Sequence, residues 1–330
     1  DLSKQVTDRE FIQTFRPFPG SLSTQDRDTR TMSGRYQIKA ENTLTTLGIS
    51  AEKTAYELVT VFGPQSIDQD INDFFVATDW SISADHKVQL GWRYSDQDSA
   101  IAADNFDESI SVVTVGYNWL IDNWKLYARA DQNYRFPTVE EHTNVPFGDA
   151  PGLDTQKGVS YELGTEYVAG SDRYRATLYD IRLEHEIGFD SSGFSNINLD
   201  KTGRKGIILE LSRNWNEKLN TRISLTLLNA EITSGAFKGK NLPLVPEKTI
   251  RLDTFYQVNA EWSSGLEVIA VGKQALGGDF SNQLSKMSGY GVLNSHLNYR
   301  VKNWDVSFRV NNLLDKKYSE SGSKFTVFPA

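Results

Sequence analysis

The sequence predicts an all-β fold, an antiparallel transmembrane β-barrel of which the chain supplies about fourteen strands. Three observations predict it: side chains alternate between apolar and polar, connections alternate between short and long, and tryptophans stand beside the short connections. The low mean hydropathy of -0.46 is compatible with a membrane location, because only one face of each barrel strand meets lipid. No apolar run is long enough for a transmembrane helix.

The strands are predicted from a period of two in the side chains. In residues 124–133, Trp124, Leu126 and Ala128 share one face, whereas Lys125 and Arg129 point to the other. Charged residues in mid-strand suit a solvated sheet face or a water-filled lumen. The predicted strands are 32–40, 44–62, 72–82, 86–97, 109–121, 123–135, 157–168, 172–187, 204–216, 218–231, 248–259, 262–274, 288–301 and 303–313.

The connections between these strands alternate in length, as the periplasmic turns and outer loops of an outer-membrane barrel do. Short turns are predicted at 40–43, 83–85, 121–123, 170–171, 216–217, 259–261 and 302–303. Long loops are predicted at 63–71, 97–108, 136–157, 188–203, 232–247 and 275–287. Residues 1–30 are polar and are predicted to be an outer loop or a frayed start.

Six of the seven tryptophans stand beside a predicted short turn, where an interfacial aromatic girdle would place them. They are Trp80, Trp119, Trp124, Trp215, Trp262 and Trp304. Tryptophans that cap the core of a soluble β-rich binding protein would give the same pattern, and that alternative stays open.

Composition excludes several classes of function. The 330 residues include no cysteine, so disulfides, thiolate metal sites and cysteine nucleophiles are excluded. The net charge of -8 argues against a nucleic-acid partner. The four histidines are dispersed, and the acidic residues of 96–108 match no defined calcium loop. We therefore predict no enzyme activity, no catalytic residue, no metal site and no cofactor.

The last two thirds of the chain resemble the barrel of TonB-dependent outer-membrane receptors. Four segments carry the resemblance: an arginine-aromatic-proline box at 134–141, the segment 152–164 that follows it, Pro243 to Pro246, and the C-terminal signature from Gly289 to Asn294 and Asn311 to Tyr318. The resemblance is firm over 110–330 and rests on the strand pattern alone over 31–109.

The resemblance implies a barrel of about 22 strands that is filled by an N-terminal plug. Residues 1–330 are then expected to be one partial barrel domain, about strands eight to twenty-one, without the plug and without the final strand. It also implies the outer membrane of a Gram-negative bacterium, contact with lipid and lipopolysaccharide, and energy coupling by a TonB-ExbB-ExbD complex that acts through the plug.

The same resemblance implies a metal-chelate ligand held by outer loops and upper lumen side chains. The expected ligand is a ferric siderophore; the alternatives are haem or cobalamin in the same family, or a passive porin-like channel. The candidate ligand-binding residues are Tyr134, Arg135, Phe136, His142, Phe147, Phe189, Phe194 and Phe280. His142 is the candidate haem ligand because it lies between the two boxes, and Arg135 would pair with an anionic chelate.

Overall fold

The computed structural model describes residues 2–15, 23–60, 63–101, 104–142, 152–190, 193, 195–323 and 327–329. Among these residues, no helix is long and apolar enough to cross a membrane. The strands are β1 Leu2–Phe15, β2 Ser23–Lys39, β3 Thr43–Thr60, β4 Gly63–Ser81, β5 His86–Ile101, β6 Asp104–Ile121, β7 Trp124–Arg135, β8 Gln156–Ala169, β9 Asp172–Glu184, β10 Ile187–Asp190, β11 Ser195–Asn198, β12 Thr202–Asn214, β13 Leu219–Ile232, β14 Lys248–Gln257, β15 Trp262–Val271, β16 Tyr290–Val301, β17 Trp304–Val310, β18 Ser319–Gly322 and β19 Val327–Pro329.

Fifteen of these strands form one sheet whose order follows the chain. The pairs β10–β11 and β18–β19 are separate two-stranded hairpins. All fourteen strands expected from the sequence are present, because the period of two that predicted them is the geometry of a pleated strand.

The chain forms two compact units. The first comprises Asp1–Asn118, Arg129–Ser160 and Arg182–Lys201, and the second Trp119–Ala128, Tyr161–Ile181 and Thr202–Ala330.

In the first unit, antiparallel pairing places Tyr56 opposite Ile67 and Ile67 opposite Ile101. Successive side chains point to opposite faces, so the sheet has an apolar face and a polar face. The apolar face exposes large side chains, among them Ile49, Phe74, Leu90, Trp92, Val113 and Val115. The polar face carries Glu52, Thr54, Gln69, Asp73, Ser95 and Gln97.

The second unit repeats this division between an apolar and a polar face. Its apolar face exposes Leu163, Leu178, Leu209, Ile223, Leu266 and Val306. Large apolar side chains that are exposed in register on neighbouring strands form a continuous patch, and such a patch marks a surface that contacts something other than water.

The short turns lie where the sequence predicts them. Two-residue turns join β6 to β7, β8 to β9 and β16 to β17. Asp122, Gly170 and Lys302 adopt positive φ angles of 48°, 60° and 49° there, the left-handed geometry that a tight hairpin needs.

The six tryptophans that stand beside short turns of the sheet are all exposed. In the second unit, the ring of Trp124 lies 4.5 Å from that of Tyr167, and the ring of Trp262 lies 4.5 Å from that of Tyr299. Aromatic pairs at the turn end of neighbouring strands are typical of a sheet that ends at a membrane interface.

Two predicted long loops, 63–71 and 97–108, are wrong. Strand β4 begins at Gly63, paired with Thr60, and strand β5 continues to Ile101. The pattern fails there because the outward positions become charged, as at Asp68 and Asp70, so the apolar alternation that marks a strand disappears. Backbone pairing continues because Ile67 and other side chains of the polar face are buried.

The segment 1–30 also differs from the expected outer loop or frayed start. Its described residues form β1 and the beginning of β2, which pair antiparallel from Leu2 opposite Tyr36 to Phe15 opposite Ser23. A polar hairpin lacks the apolar side chains by which strands are recognised. Its backbone hydrogen bonds leave no pattern of residue types in the sequence.

Candidate functional site

In the first unit, several polar groups contact residues 136–142, which follow strand β7 and are called the docked segment. Its residues contact strands β2, β3, β4 and β5. Phe136, Val139 and His142 are buried, with 8%, 2% and 1% of their surfaces exposed. A connection that buries three large side chains is held to its sheet by the hydrophobic effect.

Val139 supplies the apolar anchor of the docked segment. It packs into a cluster of buried side chains from three strands: Tyr56, Leu58, Ile67 and Ile101, with Phe106 against it. This cluster explains why β3, β4 and β5 stay paired at their polar ends, beyond the part of the sheet that has an apolar face.

Two ion pairs and a hydrogen bond from a side-chain amide orient the docked segment. Arg27 Nη1 lies 2.6 Å from Glu140 Oε1, and Gln69 Nε2 donates to the Pro137 carbonyl at 3.0 Å. Arg135 Nη1 lies 2.6 Å from Glu141 Oε2, which also accepts the Thr138 N–H at 2.9 Å. The candidate Arg135 is therefore already engaged by a carboxylate, with which an anionic ligand would have to compete.

Tyr134 and Phe136 border a cavity below the docked segment. The Tyr134 hydroxyl donates to Asp73 Oδ1 at 3.1 Å, and its ring meets that of Phe136 edge to face at 5.2 Å. The cavity has a volume of about 260 Å³. It is lined by Arg27, Glu52, Thr54, Gln69, Ile71, Asp73, Ser95, Tyr134, Phe136, Pro137, Thr138, Val139 and Glu140.

His142 is enclosed at the end of the docked segment. Its ring stacks on that of Phe106 at 5.7 Å, and neither ring nitrogen has a hydrogen-bond partner among the described residues. Burial lowers the pKa of His142 below its ordinary value, against a smaller opposing effect of Glu141. A neutral imidazole in this position packs as an apolar group and presents neither nitrogen to a ligand.

The hairpin β10–β11 is fastened beside the docked segment. Asn196 Nδ2 donates to the Glu141 carbonyl at 3.2 Å, and Asn198 exchanges two hydrogen bonds with the backbone of Asp154. Phe189 on this hairpin is exposed. The candidates Phe147 and Phe194 lie outside the described residues.

Phe280 belongs to the second unit and is a packing residue there. Only 6% of it is exposed, and its ring lies 6.2 Å from that of Phe237. The adjacent Asp279 is buried and accepts the N–H groups of Gln283 and Leu284 at 3.1 and 3.0 Å. These contacts fix the loop between β15 and β16.

Sequence reasoning thus found four residues that lie in the docked segment or directly before it, Tyr134, Arg135, Phe136 and His142, and it missed the polar residues of the adjacent cavity. The missed residues are Arg27, Glu52, Gln69, Asp73 and Glu140. Glu140 lay within the recognised box, whereas Arg27 lay in the segment expected to be a loop. One sequence signal could have predicted the first part of strand β4, namely the alternation of Ile67, Gln69, Ile71 and Asp73.

Comparison with known proteins gives a family match to almost the whole chain. The family described as "TonB dependent receptor-like, beta-barrel" matches residues 4–313. The pesticin receptor of Yersinia enterocolitica is 26% identical over 245 residues, 72% of this chain and 35% of the relative. A probable TonB-dependent siderophore receptor, PiuA of Acinetobacter baumannii, is 25% identical over 183 residues, 50% of this chain and 24% of the relative.

Solved structures share the fold. The copper transporter OprC superposes with a TM-score of 0.80 at 19% identity, over 100% of this chain and 59% of that one. The ferric yersiniabactin uptake receptor FyuA from Yersinia pestis gives a TM-score of 0.78 at 17% identity, over 99% and 56%. The chain therefore spans about a third of the length of the pesticin receptor and between half and two thirds of these structures.

Proposed function

The chain belongs to the family of TonB-dependent receptor-like β-barrels, and we propose that it takes part in the energy-coupled uptake of a ferric siderophore across the outer membrane of a Gram-negative bacterium. Family membership over residues 4–313 is the observation that carries the proposal. The same membership confirms the predicted fold class and places the chain among receptors and transporters rather than enzymes.

The names of relatives support a siderophore as the ligand. PiuA is described as a probable siderophore receptor, and the structurally similar FyuA takes up ferric yersiniabactin. The coupling partner in this proposal is a TonB-ExbB-ExbD complex that acts through a plug domain, and no residue of the described chain is assigned to that contact.

The two faces of the sheet support the outer-membrane location. The apolar face would meet lipid, with the tryptophans beside the short turns at the interface and lipopolysaccharide against the outer leaflet. The polar face, with its arginines and carboxylates, would face water and the imported ligand.

Replacing Leu90 with arginine tests this orientation. Leu90 is exposed on the apolar face, so an arginine there would enter hydrocarbon and lower the free energy of unfolding by about 2 kcal/mol. Gln89→Arg is the matched control, because Gln89 points to the opposite face and already donates to Asp79. The measurement is urea unfolding of the complete receptor in lipid vesicles. Equal stability of the two variants would argue against a lipid-facing apolar face.

A haem receptor is the alternative that the sequence offers through His142. The buried ring, with both nitrogens enclosed, does not support it, because an iron ligand must present a nitrogen to the cofactor. Cobalamin uptake and a porin-like channel receive no support from a particular contact of the described residues.

Growth under iron limitation tests the proposal against its alternatives. The gene that contains this chain is deleted and then restored, and growth is scored on ferric siderophores, on hemin and on a cobalamin-dependent medium. We expect restoration to rescue growth on a siderophore only when the energy-coupling complex is intact. Rescue on hemin alone, or rescue without the coupling complex, would contradict the proposal.

A further inference from the structure

The cavity below the docked segment has more carboxylates than cations. Arg27 is paired with Glu140, and Arg135, outside the cavity, is paired with Glu141. The two remaining carboxylates of the lining, Glu52 and Asp73, therefore determine the charge that a guest in the cavity meets.

Glu52 and Asp73 accept hydrogen bonds only from hydroxyl groups within the described part of the chain. Thr31 donates to Glu52 at 3.2 Å, and Ser50 and Tyr134 donate to Asp73 at 3.2 and 3.1 Å. No lysine or arginine nitrogen of the described residues lies within 4.0 Å of either carboxylate. A carboxylate has about four acceptor positions, so both retain positions for a donor from a ligand.

Arg93 is the other guanidinium near this wall, and it interacts with the Tyr134 hydroxyl rather than with either carboxylate. It stands on β5 two residues before Ser95 and lies over the ring of Phe75, 5.4 Å from the ring centroid. Gly48 makes room for that ring, because a Cβ at Gly48 would lie 2.1 Å from it. Arg93 thus divides its contacts between the Phe75 ring and Tyr134, and it forms no ion pair with Glu52 or Asp73 among the described residues.

The rest of the lining suits the alkyl part of a cation. Ser95 is fully buried and borders the cavity, where its hydroxyl lies beside that of Tyr134 without forming a well-aligned hydrogen bond to it. Phe136 and Ile71 also line the cavity, and so does Tyr134, whose aromatic ring is a kind of group that attracts a positive charge. Unpaired carboxylates, a buried hydroxyl and an aromatic wall form a site for a primary ammonium or a guanidinium group.

We propose that this cavity binds the ammonium or guanidinium group of a small organic ligand. The cation belongs to the imported chelate, an assignment that rests on the proposed function. A cationic ligand is therefore expected here, whereas the sequence predicts an anionic ligand at Arg135, because Arg27 and Arg135 are each paired with a glutamate.

The test is saturation-transfer NMR on the complete receptor in detergent, with butylammonium as the probe. Butanol and butanoate are the neutral and anionic probes of similar size, and detergent without protein gives the background. We expect saturation of butylammonium only. Asp73→Asn keeps the size of the side chain and an acceptor for Tyr134, and it should weaken butylammonium binding about tenfold, which is about 1.4 kcal/mol. Glu52→Gln should act in the same direction.

Asp68→Asn is the matched control, because Asp68 stands on the same strand as Asp73 and points to the opposite, exposed face. It removes the same charge and should leave the saturation of butylammonium unchanged. Three results would overturn the proposal: no saturation of butylammonium, equal saturation of butanol or butanoate, or an equal loss in Asp68→Asn.

The outcomes of this test and of the growth assay are separable. If the receptor fails to rescue growth on a siderophore but binds butylammonium through Asp73, the transport proposal is contradicted and the cation site is supported. If the receptor imports a siderophore but does not discriminate between the three probes, only the proposal of a cation site is contradicted.

Discussion

Val139→Asp is expected to release the docked segment from the sheet. Val139 is 2% exposed and packs among Tyr56, Leu58 and Ile67, where a carboxylate would have no counter-charge in the cluster. Burying an unpaired charge costs several kcal/mol, so the segment would leave the cluster rather than keep the aspartate inside. With a loss of about 3 kcal/mol, amide hydrogen exchange in residues 136–142 should accelerate about a hundredfold.

Thr138→Asp is the matched control for this prediction. It adds the same charge one residue earlier, at an exposed position of the docked segment. Exchange in the control should remain near that of the unmodified protein. If Val139→Asp exchanged no faster than Thr138→Asp, the apolar cluster would not be what holds the segment.

Gly289→Ala is expected to have the second large effect, in the second unit. Gly289 precedes β16, and a Cβ there would lie 2.6 Å from the Val271 carbonyl oxygen and 3.1 Å from the backbone carbon of Gly272. Both obstacles are backbone, so the start of β16 would have to move away from β15. Strain of this kind costs about 1–3 kcal/mol, and urea unfolding in lipid vesicles should show a loss of that size.

Gly291→Ala provides the comparison two residues further along the chain, inside β16. A Cβ at Gly291 meets nothing closer than 3.9 Å, so this variant should unfold at the same urea concentration as the unmodified protein. Equal destabilisation of both variants would mean that strand propensity, and not the close approach to Val271, accounts for the loss.

Much of the fold was predictable because it depends on local sequence. A strand crossing a bilayer must alternate apolar and polar side chains, and tight turns need residues that tolerate positive φ, so β7, β15 and β17 could be located by inspection. The loops predicted at 63–71 and 97–108 were wrong where this local signal stops. Beyond the apolar face, outward positions are charged, and strand pairing depends instead on burial against the docked segment.

The candidate site was predictable only in part. The box that contains Tyr134, Arg135 and Phe136 is contiguous in sequence and could be recognised as a unit. Its partners are not contiguous: Arg27 pairs with Glu140 across 113 positions, and Tyr134 reaches Asp73 across 61. Which arginine is free and which carboxylate faces the cavity depends on such contacts.

By itself, then, the sequence determined the fold class, the strands that carry an apolar face, the tight turns and the family. Each of these depends on side-chain alternation or on contiguous motifs. Only the tertiary structure decided that His142 is enclosed, that Arg135 is engaged by Glu141, and that Glu52 and Asp73 face an open cavity. The physical reason is that burial and charge pairing are properties of neighbours in space, and strands β2 to β5 bring those neighbours from distant parts of the chain.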